Sequence, residues 1–124
     1  MFNIVFQCRR ALFSTAGDVA KFGQMFLNKG TFQGRRYLSE ATVAEMTTKQ
    51  TAPEIKTAYG FGWTIRDSGF EHFGHYKTDL SINTKLGLVT VFMIQLNGDW
   101  PTSDGNNALR TFQHAAEALM PGAR

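Results

Sequence analysis

Residues 70–96, FEHFGHYKTDLSINTKLGLVTVFMIQL, decide the fold. Their last part, Leu88 to Leu96, is almost unbroken apolar sequence rich in β-branched residues, the composition of a strand buried on both faces. Before it, Asp79 to Asn83 sets Leu80 and Ile82 against polar Ser81 and Asn83 with a period of two. Thr84-Lys85-Leu86-Gly87 joins the two stretches, with Gly87 where a positive φ is expected. The whole reads as a hairpin, and the other segments can be placed by how they cover it.

Upstream of the hairpin, Tyr59, Phe61, Trp63 and Ile65 alternate with Gly60, Gly62, Thr64 and Arg66. This predicts a strand with an aromatic face and a bare face that other backbone approaches closely. Asp67-Ser68-Gly69 then turns the chain. Nearer the start, Thr15 is placed to cap a helix, with Asp18 suited to the positive end of its dipole. Val19, Phe22 and Phe26 share the inner face of that helix, Met25 and Leu27 flank it, and Asn28-Lys29-Gly30 supplies a glycine stop. Thr31 to Tyr37 turns at Gly34 between two short extended pieces. Ser39 caps a second helix, with Leu38 and Val43 as a hydrophobic staple, and the pattern carries it to Lys49. Residues 50–58 contain Pro53 and read as loop. Phe2, Ile4 and Phe6 alternate with Asn3, Val5 and Gln7 as a short first strand. After the hairpin, residues 97–107 form a polar loop. Ala108, Leu109, Phe112, Ala116 and Leu119 line a final helix that Pro121-Gly122 ends and that is expected to pack on the 88–96 strand. The order predicts an α+β fold, an antiparallel sheet of three to five strands flanked by helices.

The 124 residues suit a single domain over 1–124, with residues 1–10 as an atypical leading strand. The net charge of +3 is spread along the chain, with close pairs at Arg9-Arg10 and Arg35-Arg36, so no basic stripe tracks phosphates and nucleic acid is not an expected partner. The single cysteine, Cys8, excludes an intrachain disulfide and a multi-thiolate metal site. The charges of MFNIVFQCRR follow its apolar run, the reverse of a secretory signal, and no stretch approaches the length of a membrane span. The expectation is a soluble chain with no visible address, no membrane partner and no cofactor.

Chemistry-bearing residues concentrate between His72 and Thr78. His72 and His75, three apart on a strand, would point to opposite faces and so would not share a metal. His114 falls on the final helix, on the solvated side. Tyr76, Lys77 and Thr78 place a phenol, an ammonium and a hydroxyl together where a strand ends. Such a group can hold a carboxylate or tune a nucleophile, and it also suits a plain polar strand end with a snorkelling lysine. No serine sits in Ser-x-x-Lys or Gly-x-Ser-x-Gly, and the phosphate-cradling glycine patterns are absent. Tyr59, Trp63 and Phe70 would suit a small-molecule cleft but are more simply core.

Three stretches taken together resemble a known family: LFSTAGDVAKFGQMFLNKGTFQGRRYLSEATVAEMT, YGFGWTI, and FGH followed by TDLSINTKLGLVTVFMIQ. They are similar to the C-terminal part of serine hydrolases related to class C β-lactamases, the penicillin-binding-protein-like group that includes carboxylesterases and D-aminopeptidases. The resemblance implies an antiparallel sheet beside a mostly helical domain. It also implies a Ser-x-x-Lys nucleophile, a Tyr-x-Asn base element, and a third motif, Lys-Thr-Gly or His-Gly-Gly, on the strand lining the cleft.

By that resemblance His75 takes the place of the third motif's first residue. His75, Lys77 and Thr78 are then its catalytic remnants, and Tyr76 and Thr78 its substrate contacts. The chain departs from the family here: FGH runs directly into Tyr-Lys-Thr without the two glycines that keep room for a substrate carbonyl. Ser-x-x-Lys and Tyr-x-Asn do not occur. The expectation is a truncated β-lactamase-like hydrolase, inactive alone. Its partner would be a second copy paired through an exposed sheet edge, or a complementing chain that supplies the nucleophile.

Overall fold

The computed structural model describes residues 14–95 and 105–121. The expected first strand at Phe2–Gln7 and most of the 97–107 loop lie outside the described residues.

Helix α1, Ala16–Leu27, starts as its cap residue dictates: the Asp18 N–H donates to Thr15 Oγ1 at 3.2 Å. Hydrogen bonds from Lys21 and Thr15, with the Lys21 charge, hold the Asp18 carboxyl below its ordinary pKa. At the other end Gly30 N–H reaches Met25 O (2.8 Å) and Lys29 N–H reaches Phe26 O (2.9 Å), the two bonds of a Schellman closure. The left-handed residue that this closure requires is Lys29, at φ 53°, not the glycine beside it. Gly30 is needed for its own positive φ of 92° and for space. A Cβ there would lie 2.1 Å from the Leu38 carbonyl oxygen.

A two-residue turn at Gln33 and Gly34, both at positive φ, joins β1 (Thr31–Phe32) to β2 (Arg35–Arg36). Helix α2, Glu40–Met46, is capped by Ser39, whose Oγ accepts from the Thr42 N–H at 3.0 Å, and both staple residues, Leu38 and Val43, pack in the core. It stops short of Lys49. The Thr47 hydroxyl donates to the Val43 carbonyl oxygen at 2.8 Å, and the Phe61 N–H takes the Met46 carbonyl oxygen, so local and tertiary bonds replace another helical turn.

The main sheet is antiparallel, in the order β3 (Thr64–Arg66), β4 (Gly69–Phe73), β5 (Asp79–Asn83) and β6 (Leu88–Phe92). Register puts Phe70 opposite Ile82 and Ile82 opposite Val89, all on the face that meets α1. Glu71, Ser81 and Thr90 share the other face, where Gln113 of α3 (Gly105–Ala118) hydrogen-bonds Ser81 and Phe112 packs on Phe92. The sheet therefore has a helix on each side.

Three expectations change. The strand buried on both faces is β5, with Asp79, Leu80 and Ile82 buried, whereas β6 is half-buried and ends at Phe92. The reason is position: β6 is outermost among the described residues, so composition marks the strand but not its place in the sheet. The alternation from Tyr59 to Arg66 is not one strand. Gly62 at φ 83° turns the chain so that Tyr59 bridges Thr64, which buries Trp63 and leaves Phe61 exposed. Gly60 does meet close backbone, with the Met46 carbonyl oxygen 2.1 Å from where a Cβ would sit, while Gly62 faces open space. In α3, Leu109 and Ala116 are half-buried as expected and Gln113 and Glu117 join them, while Leu119 is 84% exposed.

The core forms where α1 meets the sheet. Trp63 stands edge-on to Phe26 (4.9 Å between centroids) and to Phe70 (5.0 Å). Gly23 lets the helix come this close, since a Cβ there would lie 2.6 Å from Val89 Cγ1. Gly23→Val should therefore lower unfolding free energy by about 1–3 kcal/mol in urea titration. Lys29→Gly, which relieves the left-handed lysine, should raise it by about 0.5–1 kcal/mol in the same assay.

Candidate functional site

The residues expected to carry the third motif lie on the tip between β4 and β5. Gly74 N–H donates to Thr78 O at 2.7 Å and Lys77 N–H to Gly74 O at 3.0 Å, which leaves a three-residue loop of His75, Tyr76 and Lys77. A loop of this length is built as a tight turn followed by one left-handed residue, a position that favours glycine. Lys77 holds it, at φ 66°. Gly74 is required for packing, because a Cβ there would fall 2.1 Å from Thr78 Oγ1.

Side chains on the tip are fixed by their neighbours. His75 is exposed and meets the Tyr76 ring edge-on, with centroids 5.1 Å apart. Lys77 extends its Nζ over the Phe73 ring, 5.9 Å from the centroid. His75, Tyr76, Lys77 and Thr78 are thus gathered on one turn, a group that carries an ammonium and two hydroxyls.

No described serine is arranged as a nucleophile with a base beside it. The Ser14 hydroxyl bonds to the Thr15 carbonyl oxygen, Ser39 caps α2, and Ser68 lies in the turn between β3 and β4. Ser81 alone touches a carboxylate, donating to Asp79 Oδ2 at 2.7 Å. Acyl transfer needs nucleophile and base within hydrogen-bond reach. The Ser81–Asp79 pair is within that reach but is closed off by Gln113, with Asp79 at 4% exposure and its Oδ2 shared with Gln113 Nε2 at 3.1 Å.

Two groups were under-read in the sequence. His72 Nδ1 lies 2.8 Å from the Gly62 carbonyl oxygen, which can only accept, so this hydrogen bond places the ring proton on Nδ1. The Tyr59 hydroxyl is 3.4 Å from the same nitrogen. Both partners come from the glycine turn at Gly62, which the period-two reading had straightened. The second group is Asp79, Ser81 and Gln113, beside a cavity of about 100 Å³ lined by Arg66, Glu71, Thr90 and Glu117 among others. Burial is the main influence on the Asp79 carboxyl and raises its pKa, and the Glu71 charge adds to this. Bonds from Ser81 and Gln113 oppose the shift without cancelling it. Gln113 is thirty-four residues from Asp79, so no local pattern announced the group.

Among the described residues, no three His, Cys, Asp or Glu side chains are grouped to hold a metal ion, and no helix is long and apolar enough to cross a membrane.

Two substitutions probe the tip. Lys77→Gly should raise stability by about 0.5–1 kcal/mol by relieving the left-handed lysine. Gly74→Ala should lower it by about 1–3 kcal/mol, and Thr78→Ala in the same chain should recover part of the loss, since the contact is with Oγ1; a double-mutant cycle in urea reads the coupling.

The sheet with a helix on each side and the tip between β4 and β5 can be set beside known proteins. A family model described as Beta-lactamase matches residues 5–115. No curated protein matches the chain. The match spans most of the sequence and includes every described strand, so the chain belongs to the beta-lactamase family, a family of serine hydrolase type.

Proposed function

We propose that this chain carries the sheet side of a β-lactamase-like serine hydrolase and does not perform acyl transfer by itself. The observation behind this reading is the tip at 74–78. Where related hydrolases keep two glycines after the histidine, this chain places Tyr76 and a left-handed Lys77 in a short turn closed on Thr78. The absence of Ser-x-x-Lys and Tyr-x-Asn from the sequence agrees with it. In this reading His75, Lys77 and Thr78 are remnants of the third motif, and Tyr76 and Thr78 would face a substrate carboxylate. The acyl-acceptor serine would have to lie outside this sequence, a complementing chain being one source. The parent chemistry is β-lactam or ester hydrolysis.

The purified chain should show no turnover of a chromogenic cephalosporin or a short-chain nitrophenyl ester above the buffer rate. Turnover that His75→Ala or Lys77→Ala abolishes would overturn the reading.

A second reading, a non-catalytic module that self-associates, has its own support in exposed aromatics. Phe22 is 50% and Phe61 52% exposed, although Phe22 stacks on Trp63 with centroids 6.3 Å apart. Apolar surface of this kind favours association, with pairing at a sheet edge as one route. Light scattering at tens of micromolar decides it: a particle of 13.9 kDa is a monomer and sinks the second reading, and a multiple of that mass supports it.

A further inference from the structure

The α3 face of the sheet buries a carboxylate beneath a helix that makes few apolar contacts with the described residues. Asp79 Oδ2 accepts from Ser81 Oγ at 2.7 Å and from Gln113 Nε2 at 3.1 Å, and the same Gln113 nitrogen donates to Ser81 Oγ at 2.9 Å. Both hydrogens of the amide nitrogen and the single hydroxyl hydrogen are consumed in this triangle. Among the described residues a further hydrogen bond joins helix to sheet, from Asn83 Nδ2 to Glu117 Oε1 at 2.9 Å. Apolar contact is modest: Phe112 meets Phe92 at 5.7 Å between centroids and is itself 38% exposed.

We propose that the docking of α3 on the sheet is linked to protonation of Asp79, with the helix clasped at acid pH and loosened as the pH rises. The triangle survives protonation, because a proton on Oδ1 leaves Oδ2 as the acceptor for both donors. What protonation removes is an ionised group held out of water. Lifting α3 removes the cover and lets the carboxylate ionise in solvent.

The charged and titratable groups around Asp79, among the described residues, leave this balance in place. On β4, Glu71 is paired with Arg66 of β3, and the charge of His72, on the opposite face, lowers the Asp79 pKa without cancelling the rise that burial causes. Lys77, on the tip, reaches over Phe73. Neither β5 nor β6 carries another ionisable residue. On α3, Glu117 is bonded to Asn83, and Arg110 and His114 are exposed. Asp79 titrates at higher pH under the docked helix than in water, because burial raises it. Docking is therefore strongest below the pKa of the uncovered carboxyl and weakens as pH rises through the docked value, by at most about tenfold per pH unit between the two.

Hydrogen exchange by mass spectrometry on the full chain, from about pH 4 to about pH 8 and corrected for intrinsic rates, tests this. The opening constant of 105–118 should rise with pH across the titration window, by at most about tenfold per unit, while 79–83 stays protected, and Asp79→Asn should flatten the rise. The proposal is overturned if wild-type α3 opening is independent of pH, if Asp79→Asn keeps the wild-type slope, or if 79–83 opens in step with the helix. Should Asp79→Asn fail to fold, Gln113→Glu decides. A second carboxylate against Asp79 should extend the pH-dependent opening, and a response equal to wild type would overturn the proposal.

Discussion

The contact of Trp63 with Phe26 and Phe70 is the constraint on which the remaining structure depends. It joins three distant parts of the chain: helix α1, the glycine turn before β3, and strand β4. Rings meeting edge-on at about 5 Å are held by burial and by the attraction of ring edge for ring face. They reach that distance only if α1 lies directly on the sheet, and Gly23 permits this by leaving room for Val89 and Leu80. The turn at Gly62 then aims Trp63 inward.

The two faces of the sheet are closed by different physics. On the α1 side the cover is apolar, with Met25, Phe26, Leu80 and Ile82 buried. On the α3 side it is largely polar: Gln113 and Glu117 bind Asp79, Ser81 and Asn83, and Thr90 is buried among them. An apolar cover is insensitive to pH, and a cover that buries a carboxylate is not. Family membership gives the sheet a common plan. The character of this chain comes from the tip at 74–78 and from this polar layer.

Two lysines, Lys29 and Lys77, hold left-handed positions where glycine is favoured. Each shares its turn with a glycine that is needed for space, Lys29 beside Gly30 and Lys77 three residues after Gly74. Gly30, itself at φ 92°, is pressed against Leu38, and Gly74 against Thr78, so close packing fixes both glycines while a lysine takes a further left-handed position in each turn. A glycine in a turn therefore marks the turn, but the residue with positive φ must be found in the backbone itself.

Sequence alone was enough to place β5, β6 and the turn between them, because alternation and Gly87 are local signals. It also gave the caps Thr15 and Ser39, whose oxygens reach N–H groups within one turn of helix, and the membership that its motifs suggested. The chemistry-bearing tip was legible as a strand end, since the glycine and polar residues from Gly74 to Thr78 interrupt the β pattern. Only the tertiary structure decided that β5 rather than β6 is the buried strand, that the run from Tyr59 to Arg66 folds back at Gly62, and that Gln113 closes over Asp79. Each of these depends on which segments become neighbours in space, and residues thirty-four apart share no periodicity that could reveal it.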